Sequence, residues 1–145
     1  MKEKYQEKGY VLIRNFLSDK EVLELRAILN KFHHLWQQKN ASFYAETAVN
    51  SAYLTNSEFL NNEQRNRLFG FIASNKVMNL VNELIPKQPC FLNTQLFFNP
   101  VNDEQNNYWH RDPQYHLSIE EQQAALASLD VIHFRLPVMD EPGIE

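Results

Sequence analysis

The hydrophobic pattern of this chain changes its period at Cys90. In residues 18–38 the apolar side chains recur three and four positions apart, which is the spacing of one helix face. These side chains are Val22, Leu25, Ile28, Leu29, Phe32 and Trp36. From Cys90 onward, in "CFLNTQLFFNP", the side chains alternate between two faces, which is typical of a strand. Helices first and strands later predict an α+β fold.

The helical part carries clear start and stop signals. Ser18 followed by Glu21 is a capping box, and it predicts that the first long helix begins there. Residues 62–87 have apolar positions at helical spacing, and we expect two helices broken near Ser74–Asn75. Pro86 is expected to end the second of them. A further capping-box pair, Ser118 and Glu121, predicts a short helix late in the chain.

Two adjacent histidines, His33 and His34, lie near the end of the first long helix. A helix C-terminus favours positive charge, so we expect both side chains to be solvated there or to interact with the helix dipole.

Three segments predict strands. They are "GYVLIRNF" (9–16), the alternating segment from Cys90 to Phe98, and "DVIHFRLPV" (130–138). In the middle segment, one face mixes Asn93 and Gln95 with phenylalanines, which suits either the wall of a polar cavity or an exposed face. Residues 40–60 show no clear period, and we expect them to be irregular and to cover an opening.

The bulk composition limits the function classes. The 145 residues favour one domain, mainly helical over residues 1–88 and with strands over 89–145. The net charge of -4 without a basic stripe argues against nucleic acid as a partner. A single cysteine, Cys90, excludes an intramolecular disulfide and fits a reducing compartment. Without an apolar run for a signal peptide or a membrane span, we expect a cytoplasmic protein with no membrane partner.

Glycine is scarce, with three residues in the whole chain. A complete β-barrel with many tight turns usually needs more, so either the chain is largely helical or it carries only part of a β fold.

The segment "YWHRDPQYH" holds the pair most suggestive of chemistry, His110 and Asp112. In extended backbone, residues two apart point to the same side, with Cα atoms about 6.5–7 Å apart. An imidazole and a carboxylate arranged in this way supply two of the three ligands of a non-haem Fe(II) facial triad. By itself the tripeptide is a weak signal, because Asp112–Pro113 also suits a turn. A zinc site that uses His116 is a weaker alternative, since no helical histidine pair accompanies it.

Four segments in order resemble the phytanoyl-CoA dioxygenase family of Fe(II)/2-oxoglutarate-dependent oxygenases. These are "GYVLIRNFLSDKEVLELRAIL", "LNTQLFFNP", "YWHRDPQYH" and "VIHFRLPVMDEPGIE". The resemblance implies a double-stranded β-helix (jelly roll) with an N-terminal helical layer, and it makes His110 and Asp112 iron ligands. It also implies Fe(II) and 2-oxoglutarate as cofactor and co-substrate, with O₂ and a small organic molecule as reaction partners. The expected reaction is hydroxylation of a substrate C–H bond.

The sequence departs from the family pattern near its end. Similar sequences have a second iron-binding histidine soon after a "DEPG"-type turn and a 2-oxoglutarate-binding arginine beyond it. Residues 1–145 stop before that point. His133 precedes the turn and does not match the motif position. We therefore expect an incomplete jelly roll, the N-terminal part of an oxygenase, that is inactive in isolation.

Three further residues are candidates for binding the co-substrate. Asn93 and Gln95 lie on the mixed face of the predicted strand. The Arg135 guanidinium suits either a carboxylate of the co-substrate or an ordinary ion-paired position on the surface. Trp109 and Tyr115 are candidates for the wall of the site. The alternative to an oxygenase is a non-catalytic remnant or interaction module of the same fold. The residues select neither a particular substrate nor an oligomeric state.

Overall fold

A computed structural model of the chain describes residues 1–47, 49–54, 58–85, 87–100, 117–128 and 131–139. Within these residues it has six helices and two short strands. In chain order they are α1 (Lys2–Lys8), α2 (Asp19–Lys39), α3 (Ala41–Glu46), β1 (Ser51–Tyr53), α4 (Asn62–Ile72), α5 (Asn75–Leu84), β2 (Gln95–Phe97) and α6 (Ile119–Ala127). The fold is α+β, as the change of period predicts. No helix in the described ranges is long and apolar enough to span a membrane.

The described residues group into two compact units. Unit 1 comprises those within Met1–Leu12, Asn75–Cys90 and Asn106–Arg135, and unit 2 those within Ile13–Ser74, Phe91–Gln105 and Leu136–Glu145. Unit 1 contains α1, α5 and α6, and unit 2 contains α2, α3, α4 and both strands. The expectation of one domain over residues 1–145 stays a prediction.

The helices begin where local hydrogen bonds satisfy their free backbone N–H groups. At the start of α2, the Ser18 Oγ accepts a hydrogen bond from the Glu21 N–H (3.3 Å), and the Glu21 carboxylate accepts one from the Ser18 N–H (2.7 Å). Ser118 and Glu121 form the same reciprocal pair at the start of α6. Both predicted capping boxes are confirmed, and α4 has a third, built from Asn61 and Gln64.

The core of unit 2 lies between α2, α4 and the sheet. Its buried members are Leu25, Ile28, Phe32, Ala52, Leu54, Leu60 and Leu68. Phe32 is at its centre, with 1% of its surface exposed. Three of these residues belong to the predicted apolar stripe of α2, so the helical period correctly identifies the buried face.

The strands β1 and β2 pair antiparallel with Ala52 opposite Leu96. Two backbone hydrogen bonds extend the ladder, from the Leu54 N–H to the Thr94 carbonyl (3.0 Å) and from the Phe98 N–H to the Asn50 carbonyl (2.9 Å). The predicted strand from Cys90 to Phe98 is thus confirmed only in part, because β2 is three residues long.

Two other predicted strands are wrong. Helix α1 precedes the first segment and ends at Gly9, whose φ of 75° is the left-handed conformation that stops a helix. Residues 10–13 and 131–137 then have no regular secondary structure. A strand requires a neighbouring backbone to pair with, and within the part of the chain that the structure describes neither segment has one.

In unit 1, α5 buries Val77, Leu80 and Leu84, and α1 packs against it. The amino group of Met1 lies 3.3 Å from the Glu83 carboxylate. The break between α4 and α5 falls at residues 73–74, as predicted, and α5 ends two residues before Pro86.

The expectation for residues 40–60 is wrong in its described part. This segment contains α3 and β1, and Ala52 and Leu54 are buried in the core of unit 2. Side chains that belong to a core do not form a covering loop. The sequence pattern did not predict α3 or β1, because α3 is shorter than two helical turns and β1 is shorter than two strand repeats. Elements this short show no hydrophobic period.

Candidate functional site

The sheet in unit 2 has one covered and one open face. Ala52 is 8% exposed and, with Leu96 opposite, it points into the core. On the other side, Tyr53 is 63% exposed and Phe97 is 66% exposed. Ser51, Tyr53, Gln95 and Phe97 form this second side, which we call the outer face, because paired residues share a face and alternate residues repeat it.

Gln95 therefore lies where the alternating pattern predicts. It is paired with Tyr53 and is half-buried. Asn93 lies just before β2 in a stretch without regular secondary structure, and its side chain is exposed. Among the described residues this face is open, with amide and aromatic side chains together, and both interpretations of the mixed face stay predictions.

The third candidate for co-substrate binding, Arg135, belongs to unit 1. Its side chain is exposed, as is that of His133, and both lie in a stretch without regular secondary structure. The structure brings Asn93 and Gln95 together along one segment. The grouping of Arg135 with them stays a prediction.

The two predicted iron ligands, His110 and Asp112, lie outside the described residues, as do Trp109 and Tyr115. Among the residues that are described, no three or more His, Cys, Asp and Glu side chains come together as a metal site. The ligand assignment therefore stays a prediction that rests on the H-x-D tripeptide.

Four rings pack together where β2 ends. This aromatic cluster consists of His33 and Trp36 from α2, Tyr44 from α3, and Phe98. Phe98 lies 4.4 Å from His33, 5.3 Å from Trp36 and 5.7 Å from Tyr44 between ring centroids. The Tyr44 hydroxyl also donates a hydrogen bond to the Asn99 carbonyl (2.7 Å). The cluster thus fixes the end of β2 against two helices, directly before the segment that carries the H-x-D pair.

The expectation for His33 is wrong, whereas that for His34 is confirmed. The Nε2 atom of His33 is buried, and burial lowers the pKa of its imidazole below the usual 6.5. His34 is exposed, and its ring nitrogen lies 3.0 Å from the Gln38 side-chain nitrogen. The sequence did contain the signal, because His33 is four residues after Leu29 and three before Trp36, on the apolar stripe of α2.

The family model for phytanoyl-CoA dioxygenase (PhyH) matches residues 5–133. The chain belongs to the phytanoyl-CoA dioxygenase family. No curated protein and no solved structure matches it. The resemblance seen in the sequence is thereby confirmed. The matched range includes Asn93, Gln95, His110 and Asp112 and ends two residues before Arg135.

Proposed function

We propose that this chain functions in an Fe(II)/2-oxoglutarate-dependent oxygenase, which hydroxylates a small organic substrate with O₂. The observation that carries the proposal is the match to the phytanoyl-CoA dioxygenase family over residues 5–133, a range that contains the H-x-D pair. The α+β architecture of the described residues is compatible with it.

The donor set fits the metal. A neutral imidazole and a carboxylate two residues apart supply the nitrogen and oxygen ligands that non-haem Fe(II) takes in a facial triad. We assign these roles to His110 and Asp112. When bound, the iron couples the oxidative decarboxylation of 2-oxoglutarate to the oxidation of a substrate C–H bond.

The outer face is proposed as a wall of the site. The family's jelly roll implies a sheet with helices on one side and the reaction chamber on the other. In unit 2 the helix α2 packs on the Ala52 and Leu96 side. This supports the proposal that the outer face is the side toward the chamber. There Gln95 can hydrogen-bond a carboxylate or a substrate, and Tyr53 and Phe97 can exclude water.

Asn93 and Arg135 are the other two residues proposed to bind the co-substrate. Asn93 is exposed two residues before Gln95, so its amide is available to a ligand. A guanidinium such as that of Arg135 can hold a carboxylate through two hydrogen bonds. Arg135 lies outside the matched range, so its role rests on chemistry alone.

The test is a 2-oxoglutarate turnover assay on a polypeptide in which residues 1–145 are followed by a family segment with the downstream histidine and arginine. With Fe(II), ascorbate and a panel of small organic substrates, we expect succinate to form. Asp112→Asn is expected to abolish this turnover, because it replaces a charged ligand with a neutral amide. Metal content is measured alongside.

His133→Ala is the matched control. It removes a histidine from the same family range without changing the H-x-D pair, and turnover should survive it. If Asp112→Asn retains turnover, Asp112 is not an iron ligand, whether or not His133→Ala loses turnover. A polypeptide that folds and forms no succinate with any substrate would favour a non-catalytic member of the family.

A further inference from the structure

The aromatic cluster contains a titratable ring that the proposed oxygenase chemistry does not use. His33 stacks on Phe98 with 4.4 Å between centroids and 29° between ring planes, and the edge of Tyr44 approaches at 6.3 Å. The Nε2 atom of His33 is buried and has no hydrogen-bond partner in the structure as described. A buried polar atom without a hydrogen bond is costly, and the cost is larger when the group carries a charge.

Among the described residues, the titratable groups of α2 and α3 supply His33 with no ion pair. On α2 the nearest titratable groups, Lys31 and His34, are exposed, and Lys39 pairs with Glu58. On α3 the carboxylate is Glu46, and it is exposed.

Tyr44 is the titratable group in ring contact with His33, and its hydroxyl is already donated to Asn99. Strand β2 and the two residues after it, Phe98 and Asn99, carry no ionisable side chain. Among the described residues, His33 has no ion pair with a carboxylate. Burial is accordingly the cause of its lowered pKa.

Protonation of His33 has opposing effects. A positive imidazolium is attracted to the faces of neighbouring aromatic rings. Against this, it places a charge and an N–H donor on a buried nitrogen without an acceptor. Burial of the ring lowers the pKa of His33 and so favours the neutral imidazole.

We propose that His33 makes the attachment of the end of β2 to α2 and α3 acid-sensitive. The neutral ring packs in the aromatic cluster, and the protonated ring weakens it, so that Phe98 and Asn99 separate from the two helices more readily. The proposal does not depend on the oxygenase assignment.

The pH window follows from the direction of the shift. The pKa of His33 is about 6.5 when the ring is in water and lower when it is packed. Above about pH 6.5 both states are neutral, and the cluster has its full stability. As the pH falls below 6.5, the open state binds a proton first, and the ratio of closed to open changes by up to about tenfold per pH unit. Below the lowered pKa the ratio becomes constant again.

The experiment measures amide hydrogen exchange by NMR in the 145-residue chain between pH 7.5 and pH 5. The probe is the Phe98 N–H, which donates to the Asn50 carbonyl beside the cluster. The Leu54 N–H, at the other end of the ladder, is the internal reference. Wild type is compared with His33→Phe and with His34→Phe, the matched control on the adjacent exposed position. Comparison at equal pH cancels the intrinsic pH dependence of exchange.

We expect the Phe98 amide to lose protection from exchange in acid in wild type and in His34→Phe. In His33→Phe this acid-induced loss should be absent or smaller. An equal acid response in His33→Phe, or none in wild type, would overturn the proposal. A titration of the imidazole resonances in the unaltered chain gives a second criterion if His33→Phe does not fold. His33 should titrate below about pH 6.5, and a midpoint at or above that value would also overturn the proposal.

Discussion

At the scale of single residues, one hydroxyl group ties α3 to the chain after β2. The Tyr44 hydroxyl donates to the Asn99 carbonyl at 2.7 Å, while its ring packs on Trp36 and Phe98. Tyr44→Phe removes this hydrogen bond and keeps the ring. We expect the free energy of unfolding to fall by about 0.5–1.5 kcal/mol. Urea denaturation followed by circular dichroism measures the change.

Tyr53→Phe is the control for this prediction. It makes the same chemical change on the outer face, where the tyrosine is 63% exposed. A change there should stay within about 0.5 kcal/mol, as for most surface substitutions. If both variants lose the same stability, the Tyr44 hydroxyl is not what holds Asn99.

His33 and Gln95 show how far the sequence can predict a site at this scale. The alternation of β2 places Gln95 on the mixed face, because a strand repeats every two residues regardless of its partners. The helical period likewise places His33 on the apolar stripe of α2. The helical period does not predict which residue His33 packs against. That residue is Phe98, which is 65 residues away in the sequence. The burial of Nε2 follows from that contact.

At the scale of elements, capping boxes define where the helices start. Ser18→Ala removes the side-chain oxygen that accepts the Glu21 N–H and also donates to the Glu21 carboxylate at 2.7 Å. We expect a loss of about 1 kcal/mol in the free energy of unfolding, within the range of 0.5–2 known for such caps. Equilibrium urea denaturation of the purified chain provides the value.

Ser42→Ala makes the same substitution at an exposed position inside α3. Alanine is the better helix former, so this control should be neutral or slightly stabilising. If Ser18→Ala and Ser42→Ala have equal urea midpoints, the Ser18 cap does not stabilise the protein.

Helices and strands differ in how well the sequence predicts them. A helix satisfies its own backbone, so the stripe and cap of α2 are enough to find it. A strand is stable only beside another strand. The segments 9–16 and 130–138 have the composition of strands, yet in their described residues no ladder forms. Conversely, β1 is hidden in an aperiodic segment and exists because β2 pairs with it.

At the scale of the whole molecule, the family match is a continuous range of sequence, and the two compact units are groups of segments in contact. The match spans residues 5–133 without interruption, whereas the units interleave along the chain. The helical core of unit 2 covers one side of its sheet, and the side left open carries the candidate co-substrate residue Gln95.

The number of iron ligands decides the last prediction. Within the 145 residues, the family resemblance assigns two ligands, His110 and Asp112, and a facial triad requires three. Two ligands hold a labile divalent ion weakly, so little iron should stay on this polypeptide by itself. Incubated with Fe(II), ascorbate and 2-oxoglutarate, residues 1–145 alone should form no succinate above the protein-free background.

A longer polypeptide with the downstream histidine and arginine, assayed in parallel, shows whether the reagents are competent. Succinate from that polypeptide and none from residues 1–145 is the expected pair of results. Clear, Asp112-dependent turnover by residues 1–145 alone would mean that another side chain completes the triad. His133→Ala would then be the first variant to assay, because His133 is the described histidine that lies within the matched range and after the H-x-D pair.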